Sequence, residues 1–197
     1  PPAPLLPNPV DNQMVDQVSA DELGPSVETL QSFHTRHTNS DTVSSARGIG
    51  AARRWIHSRF VEFGSLPGHT LEPGWFDFDS VVCGRAGHHR NVLATLPRTG
   101  GVDRSFLVGA HMDSRSVETC NDTSFAPGAN DDGSGTAVLI ELARVMSAAR
   151  FDTDVILTAF TGEEQGIIGS KAYATWAQAQ GMRIDGVISN DVVGNIV

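Results

Sequence analysis

The sequence of 197 residues is poor in cysteine and has no long apolar run, and both scarcities exclude classes of protein. Cys83 and Cys120 have no C-x-x-C spacing and are too few for a disulfide framework, so we expect an inert pair or one simple bridge. No apolar run approaches the roughly 20 residues that a membrane span needs. The chain begins at Pro1 and has no signal-type apolar stretch, so we interpret it as a processed or trimmed product.

Positive charge is also scarce. The chain has 14 Lys and Arg against 23 Asp and Glu, and its formal net charge is -9. Because such a surface repels phosphate backbones and anionic lipids, we expect neither a nucleic-acid partner nor a membrane partner. With 40% hydrophobic and 19% charged residues, the composition is that of a folded domain with a sizeable core.

The first half of the chain is predicted to contain an extended arm, helices and a hairpin. The arm is the proline-rich segment 1–9, and one domain follows over residues 10–197. Apolar spacing and turn residues predict one or two helices over 10–33 with a break near Gly24-Pro25, an amphipathic helix over 44–63, and strands over 75–82 and 91–96.

Four histidines of this half are interpreted as surface residues rather than ligands. His34 and His37 lie with Arg36 in a polar segment that has no carboxylate pair nearby in sequence. His88-His89 falls in the predicted hairpin turn. Adjacent side chains of an extended chain point to opposite faces, so these two cannot easily bind one metal ion.

The second half alternates strands with helices. Three apolar runs, at 106–110, 154–161 and 185–189, predict strands that are buried on both faces. Helical patterns lie between them at 133–149 and 170–180. This order favours right-handed β-α-β units, so we predict an α/β fold with a mixed, partly parallel β-sheet flanked by helices.

Histidine and carboxylate side chains follow each of these three predicted strands. Ligands of open α/β sheets bind at the carboxyl ends of strands, and imidazole with carboxylate oxygens suits zinc. Each motif alone is weak: Asp131-Asp132 could simply cap the helix that follows, and Glu163-Glu164 could be an exposed helix start. Their occurrence in order predicts four metal ligands, which are His111, Asp131, Glu164 and Asp191.

Two further carboxylates have roles beside these ligands. Asp113 could accept the second imidazole N–H of His111 and so set its tautomer. Glu163 neighbours the ligand Glu164 without needing to bind metal, as a general base requires. Three carboxylates that converge on one cavity would repel each other, and a pair of metal ions about 3.5–4 Å apart removes that repulsion.

Four motifs together resemble the co-catalytic zinc aminopeptidases of peptidase family M28. They are His111-Met112-Asp113-Ser114, the segment from Ala126 to Gly135 (APGANDDGSG), Gly162-Glu163-Glu164-Gln165-Gly166 with Gly169-Ser170, and Asn190-Asp191. The resemblance covers residues from about Phe33 onward. It implies a zinc-exopeptidase fold, two Zn²⁺ ions, and removal of the N-terminal residue from a peptide substrate with a free N-terminus.

The resemblance also implies a role for each site residue. Asp131 would bridge both ions, His111 and Asp191 would complete one site, and Glu164 would belong to the other. Glu163 would be the general base. The Asp131-Asp132 peptide bond would be cis.

The sequence departs from the family at one ligand. The second zinc of the family is completed by a later His, but none of the seven His residues follows His111. The chain stops six residues after Asp191, so we expect an N-terminal portion of a longer catalytic domain. Alone, it should bind at most one zinc well and show little or no peptidase activity.

Three other functions remain open. Glutaminyl cyclases share the fold but use one zinc, and M20 deacylases and carboxypeptidases share the His-x-Asp and Glu-Glu patterns. Peptidase-like receptor domains keep the fold as a binding module and lose the ligands. The family and the acidic, processed-looking start favour an extracellular or periplasmic location.

Overall fold

The computed structural model describes residues 9–194 and contains one five-stranded mixed sheet with helices on both faces, as predicted. Pro9, assigned to the arm, begins the first helix, and residues 1–8 lie outside the described part. In chain order the elements are α1 (Pro9–Asp16), α2 (Ala20–Ser32), α3 (Gly48–Gly64), β1 (Glu72–Val82), β2 (Arg85–Leu96), β3 (Ser105–His111), α4 (Gly133–Met146), β4 (Asp154–Phe160), α5 (Ile168–Ala179) and β5 (Ile184–Ser189). No helix between residues 9 and 194 is long and apolar enough to cross a membrane.

The sheet joins an antiparallel hairpin to a block of three parallel strands. The strand order is β1-β2-β4-β3-β5. β1 and β2 pair antiparallel, β2 joins β4 antiparallel, and β3 pairs parallel with both β4 and β5. The carboxyl ends of β3, β4 and β5 therefore meet at one edge of the sheet, which is where the predicted site residues follow these strands.

A separate apolar cluster covers each face of the sheet. On one face, α3 and α4 pack on the strands through the main core, which includes Ile56, Phe60, Leu139 and Leu157. On the other face, α5 contributes Tyr173 and Ala177 to a smaller cluster. Because successive strand residues point to opposite faces, the nearly all-apolar runs of β3 and β4 supply both clusters.

The prediction that the third strand of the parallel block is buried on both faces is wrong. Among residues 9–194, β5 is an edge strand, and Val187 and Ile188 are both more than 60% exposed. Its apolar sequence resembles that of β3 and β4, but only β3 pairs with it in the described part of the chain. Apolar content therefore identified the strand but not its position in the sheet.

The predicted helix break at Gly24-Pro25 is also wrong. α2 runs through both residues, and the division from α1 falls before Ser19, whose side chain caps α2. Pro25 removes one hydrogen bond near the helix start. The burial of Leu30 in the main core with residues of α4 offsets that loss, so packing outweighs the local propensity.

The next helix starts later than predicted, at Gly48 instead of Ser44. The preceding segment is held by Asp41, whose carboxylate accepts hydrogen bonds from the N–H groups of Val43 and Ser44. Gly48 has a φ of +79°, and a Cβ there would lie 2.3 Å from the carbonyl oxygen of Asp41. This positive φ ends the non-helical segment and lets the helix begin.

The histidine pair of the hairpin lies in a strand rather than in the turn. β2 begins at Arg85, and the turn is formed by Cys83 and Gly84, both with positive φ. The predicted opposite orientation is confirmed, because His88 is exposed beside Asp77 and Asp79 whereas His89 is buried. The interpretation of His89 as a surface residue is therefore wrong.

Candidate metal centre

The carboxyl edge of the parallel strands brings together three of the four predicted ligands. Donor atoms of His111, Asp131 and Asp191 all lie within 4.8 Å of one another. Nε2 of His111 is 3.1 Å from Oδ1 of Asp131 and 3.8 Å from Oδ1 of Asp191. The imidazole is 5% exposed, while both carboxylates are about half exposed, so the group opens towards solvent.

The second imidazole nitrogen of His111 is held by the backbone. Nδ1 lies 3.2 Å from the carbonyl oxygen of Asp113 and 3.6 Å from Oδ1 of the same residue. Nδ1–H therefore donates to an oxygen of Asp113, and Nε2 faces the two carboxylates. The predicted orienting residue is in place, but its carbonyl oxygen is closer to the ring than its carboxylate.

The carboxylate of Asp113 holds the turn after β4. It is fully buried and accepts hydrogen bonds from the N–H groups of Glu163 at 3.1 Å and Glu164 at 3.2 Å. Asp113 thus connects the loop after β3 to the loop after β4. The side chain of Glu163 reaches within 4.0 Å of Nε2 of His111.

Glu164 lies apart from the group of three ligands. Its Oε2 accepts a 2.5 Å hydrogen bond from Nε of Arg115, on the loop after β3. Burial raises the pKa of Glu164, and the nearby charge of Asp131 raises it further, against the effect of Arg115. The sequence had no signal for this partner, because Arg115 is one charged residue in a polar loop.

Asp131 and Asp132, at the start of α4, have different roles: Asp131 faces His111 and Asp132 caps the helix. The peptide bond between Asp131 and Asp132 is cis, as the family resemblance implied. Asp132 is fully buried and caps α4 by accepting from Gly135 N, and its other oxygen accepts from His111 N. Asp131 remains about half exposed and faces the imidazole. Of these two residues, therefore, Asp132 alone caps the helix, and capping does not account for Asp131.

The crowding of acidic groups is visible in the pKa values of the centre. Burial disfavours the charged form of His111, but the hydrogen bond and charge of Asp113, with the charges of Asp132 and Glu163, raise its pKa to about 10. Burial raises the pKa of Asp132 to about 6 and also raises that of Glu163. A bound cation would relieve this repulsion, so the donor set fits a zinc-type ion.

A cavity of about 390 Å³ opens beside His111, Glu163 and Asp191. Its other walls are mainly apolar and come from β3, β4, α5 with the preceding residue Ile167, and β5. They are Leu107, Ala110, Phe160, Ile167, Ser170, Tyr173, Ala174, Ile184, Val187 and Ser189. The candidate centre therefore borders a space in which an apolar group could lie next to the carboxylates.

Asn91 of β2 holds the loop that carries Glu163 and Glu164, and sequence reasoning missed this role. Its fully buried amide accepts from Thr161 N at 3.0 Å and donates to the carbonyl oxygen of Gly169 at 3.0 Å. A Cβ on Gly169 would lie 2.4 Å from Oδ1 of Asn91. The two ends of the loop are therefore tied to one side chain of a neighbouring strand.

Replacing Asn91 with Ala should lower the free energy of unfolding by about 1–3 kcal/mol, because buried backbone groups lose their partners. Urea denaturation followed by circular dichroism measures this loss. Asn12→Ala, at an exposed position of α1, is the control and should change stability little. Equal stability of the two variants would contradict the role of Asn91 in holding the loop.

The loop between β3 and α4 is fastened to the hairpin and to the segment after α2. Cys83 and Cys120 form a disulfide, which is one of the two possibilities that the sequence allowed. His37 is fully buried, and its Nε2 lies 2.9 Å from the carbonyl oxygen of Thr119. The interpretation of His37 as a surface residue is therefore wrong, although His34 is exposed. The neighbour Arg36 is also buried.

Loss of the disulfide should destabilise the protein by about 2–4 kcal/mol, the typical value for a bridge that closes a loop of this kind. The bridge spans 37 residues of sequence. The test compares urea denaturation of the oxidised protein with that of the double variant Cys83→Ala/Cys120→Ala. A reductant should destabilise only the former, and similar midpoints for both proteins without reductant would contradict the prediction.

The fold and the residue group define a class of α/β protein with a candidate metal centre at the carboxyl ends of parallel strands. The chain matches the model of peptidase family M28 over residues 91–196. A "Probable zinc metalloprotease" of Pyrenophora teres f. teres is 38% identical over 197 residues, covering 97% of this chain and 41% of that protein. One of Pyricularia oryzae is 37% identical over 172 residues, covering 86% of this chain and 34% of that protein. The chain belongs to peptidase family M28.

Solved structures share the same fold. The LapA aminopeptidase of Legionella pneumophila superposes with a TM-score of 0.73 at 22% identity, covering 92% of this chain and 45% of that one. A glutaminyl cyclase of Porphyromonas gingivalis gives a TM-score of 0.73 at 21% identity, covering 90% and 62%. The chain spans between about a third and two fifths of the length of the two zinc metalloprotease relatives.

Proposed function

We propose that this chain carries the metal ligands and the general base of a zinc-dependent aminopeptidase. The observation that supports it most is the group of His111, Asp131 and Asp191 within 4.8 Å, at the edge where Glu163 also lies. The family and the zinc metalloprotease names of two relatives support zinc as the metal and hydrolysis as the reaction.

The ligands are assigned to two Zn²⁺ ions. His111, Asp131 and Asp191 would hold one ion, and Asp131 and Glu164 would hold the other. Zinc, when bound, supplies Lewis acidity at the scissile carbonyl and lowers the pKa of water. Glu164 is paired with Arg115 in this structure, and no His follows His111 in the given sequence, so in the 197-residue chain the second ion should bind more weakly than the first.

Glu163 moves the proton in this proposal. Its carboxylate lies at the border of the cavity, close to His111 but outside the group of three ligands. Burial raises its pKa, which brings a carboxylate closer to the range in which it exchanges protons at neutral pH. Glu163 accepts a proton from the attacking water and passes it to the leaving amine.

The substrate is a peptide with a free N-terminus, and neither nucleic acid nor membrane is proposed as a partner. The net charge of -9 supports that exclusion. An extracellular or periplasmic location is proposed as well. The Cys83–Cys120 disulfide supports it, since disulfides persist mainly in oxidising compartments.

Substrate selectivity tests the aminopeptidase proposal. In a family-length protein that contains this chain, zinc-dependent release of p-nitroaniline should occur from leucine p-nitroanilide and not from its N-acetyl derivative. Release from both, or cyclisation of glutaminyl peptides in place of hydrolysis, would contradict it. For the 197-residue chain alone we expect at most one tightly bound zinc and turnover near background. Robust turnover by the pure, zinc-loaded chain would overturn that expectation.

A further inference from the structure

Arg36 lies buried beneath the candidate metal centre, although its polar segment suggested a surface loop. Within residues 9–194, its side chain donates only to backbone carbonyl oxygens. Nε donates to Met112 at 2.7 Å, one terminal nitrogen donates to Leu30 at 3.0 Å and Pro127 at 2.5 Å, and the other donates to Gly128 at 2.9 Å. A planar guanidinium is suited to hold several acceptors in fixed directions.

Three of these four carbonyls belong to the segments that present the metal ligands. Met112 directly follows His111, and Pro127 and Gly128 begin the short stretch that leads to Asp131. The carbonyl oxygen of Gly128 also accepts from Gly133 N, the first residue of α4. The fourth carbonyl belongs to α2, so Arg36 connects that helix to both ligand-bearing loops.

Further contacts of Arg36 also hold it against the two ligand-bearing loops. The backbone N–H of Arg36 donates to Oγ of Ser114 at 3.0 Å, and that hydroxyl donates to the carbonyl oxygen of Ala126 at 2.7 Å. Gly128 has a φ of +50°, and a Cβ there would lie 2.6 Å from Cβ of Ser114 and 3.0 Å from the Arg36 guanidinium. The guanidinium therefore packs directly against the backbone of Gly128, where there is no room for a side chain.

Charge favours an arginine at this position. Burial lowers the pKa of Arg36 to about 10, and the nearby charges of Asp113, Asp132 and Asp131 oppose that decrease. The side chain therefore stays protonated at neutral pH. It places a positive charge near the carboxylates of Asp113, Asp131 and Asp132. It forms no ion pair with any of the predicted ligands.

We propose that Arg36 is a positioning residue for the metal centre, which fixes the loops of His111 and Asp131 in the arrangement that binds zinc. The inference rests on the proposed zinc function. Arg36 touches neither substrate nor metal and acts through the backbone of the loops. Groups that orient metal ligands typically contribute 10–100-fold to metal affinity.

The test measures Zn²⁺ affinity of the 197-residue chain by competition with a chromophoric chelator, beside apo-protein stability by circular dichroism. Arg36→Lys keeps the charge but loses the planar fork, and Arg36→Met loses both. We expect zinc affinity to fall about tenfold in Arg36→Lys and more in Arg36→Met. The visible spectrum of bound Co²⁺ should also change, which reports ligand geometry independently of stability.

Two control variants separate positioning from general stability. Arg54→Met removes a guanidinium that also donates to backbone carbonyls, those of Thr42, Val43 and Ser44, but on the exposed side of α3. Ile56→Ala opens the main core. Both should keep the zinc affinity of the wild type, and Ile56→Ala should do so despite its lower stability.

Each outcome has a separate meaning. If the wild type binds zinc no better than Asp131→Ala, the proposed zinc function fails, and the inference fails with it. If the wild type binds zinc through Asp131 but both Arg36 variants match its affinity and Co²⁺ spectrum, only the positioning role is wrong. Unfolding of both Arg36 variants would also overturn the inference, because Arg36 would then be required for the whole fold.

Discussion

Asp131→Ala is expected to weaken zinc binding at least about 100-fold, more than loss of a residue that only orients a ligand. The carboxylate of Asp131 lies 3.1 Å from Nε2 of His111 and is proposed to contact both ions. The fold should persist, because Asp132 and not Asp131 caps α4. Elemental analysis after zinc dialysis gives the stoichiometry, with circular dichroism as the check on folding.

Asp152→Ala is the matched control for this change. It removes one carboxylate from an exposed loop before β4, at the opposite end of the strand from the metal centre, and alters the net charge equally. Zinc content should equal that of the wild type. If the folded wild-type chain retained no zinc, the metal assignment would be wrong and a binding module would be favoured.

Glu163→Gln should reduce hydrolysis of leucine p-nitroanilide by about 10²–10⁴-fold in a family-length protein that contains this chain, the usual contribution of a general base. The amide keeps the shape of the side chain but cannot accept the proton. Zinc stoichiometry should stay unchanged, because Glu163 lies outside the group of three ligands. Initial rates at saturating substrate and zinc content are measured on the same samples.

Glu72→Gln makes the same chemical change at an exposed position where β1 begins, and its hydrolysis rate should match the wild type. A Glu163→Gln protein that lost zinc along with activity would instead identify Glu163 as a ligand. Full activity of Glu163→Gln would assign proton transfer to another group.

The two aspartates at residues 131 and 132 show how one short motif serves both fold and site. Asp132 joins the end of β3 to the start of α4 through His111 N and Gly135 N. Its carboxylate also accepts from Val192 N at 3.3 Å, next to Asp191. Asp132 therefore fixes the backbone at or next to all three candidate ligands, His111, Asp131 and Asp191.

Local pattern predicted the strands of the parallel block and the chemistry at their ends. Strands buried on both faces appear as short apolar runs, and ligand types follow from the donor atoms that zinc prefers. For that reason His111, Asp131 and Asp191 could be named in advance and meet in the structure. Helix boundaries were less predictable, since Leu30 packing outweighed the signal of Pro25.

What the sequence by itself determined is the set of elements, their alternation and the residues that follow each strand. Only the tertiary structure decided that β3 lies between β4 and β5, that Glu164 pairs with Arg115, and that Asn91 and Arg36 hold the ligand loops. Local propensity depends on residues a few positions apart. The partners of a buried amide or guanidinium are backbone groups distant in sequence, and chain topology alone brings them within hydrogen-bonding distance.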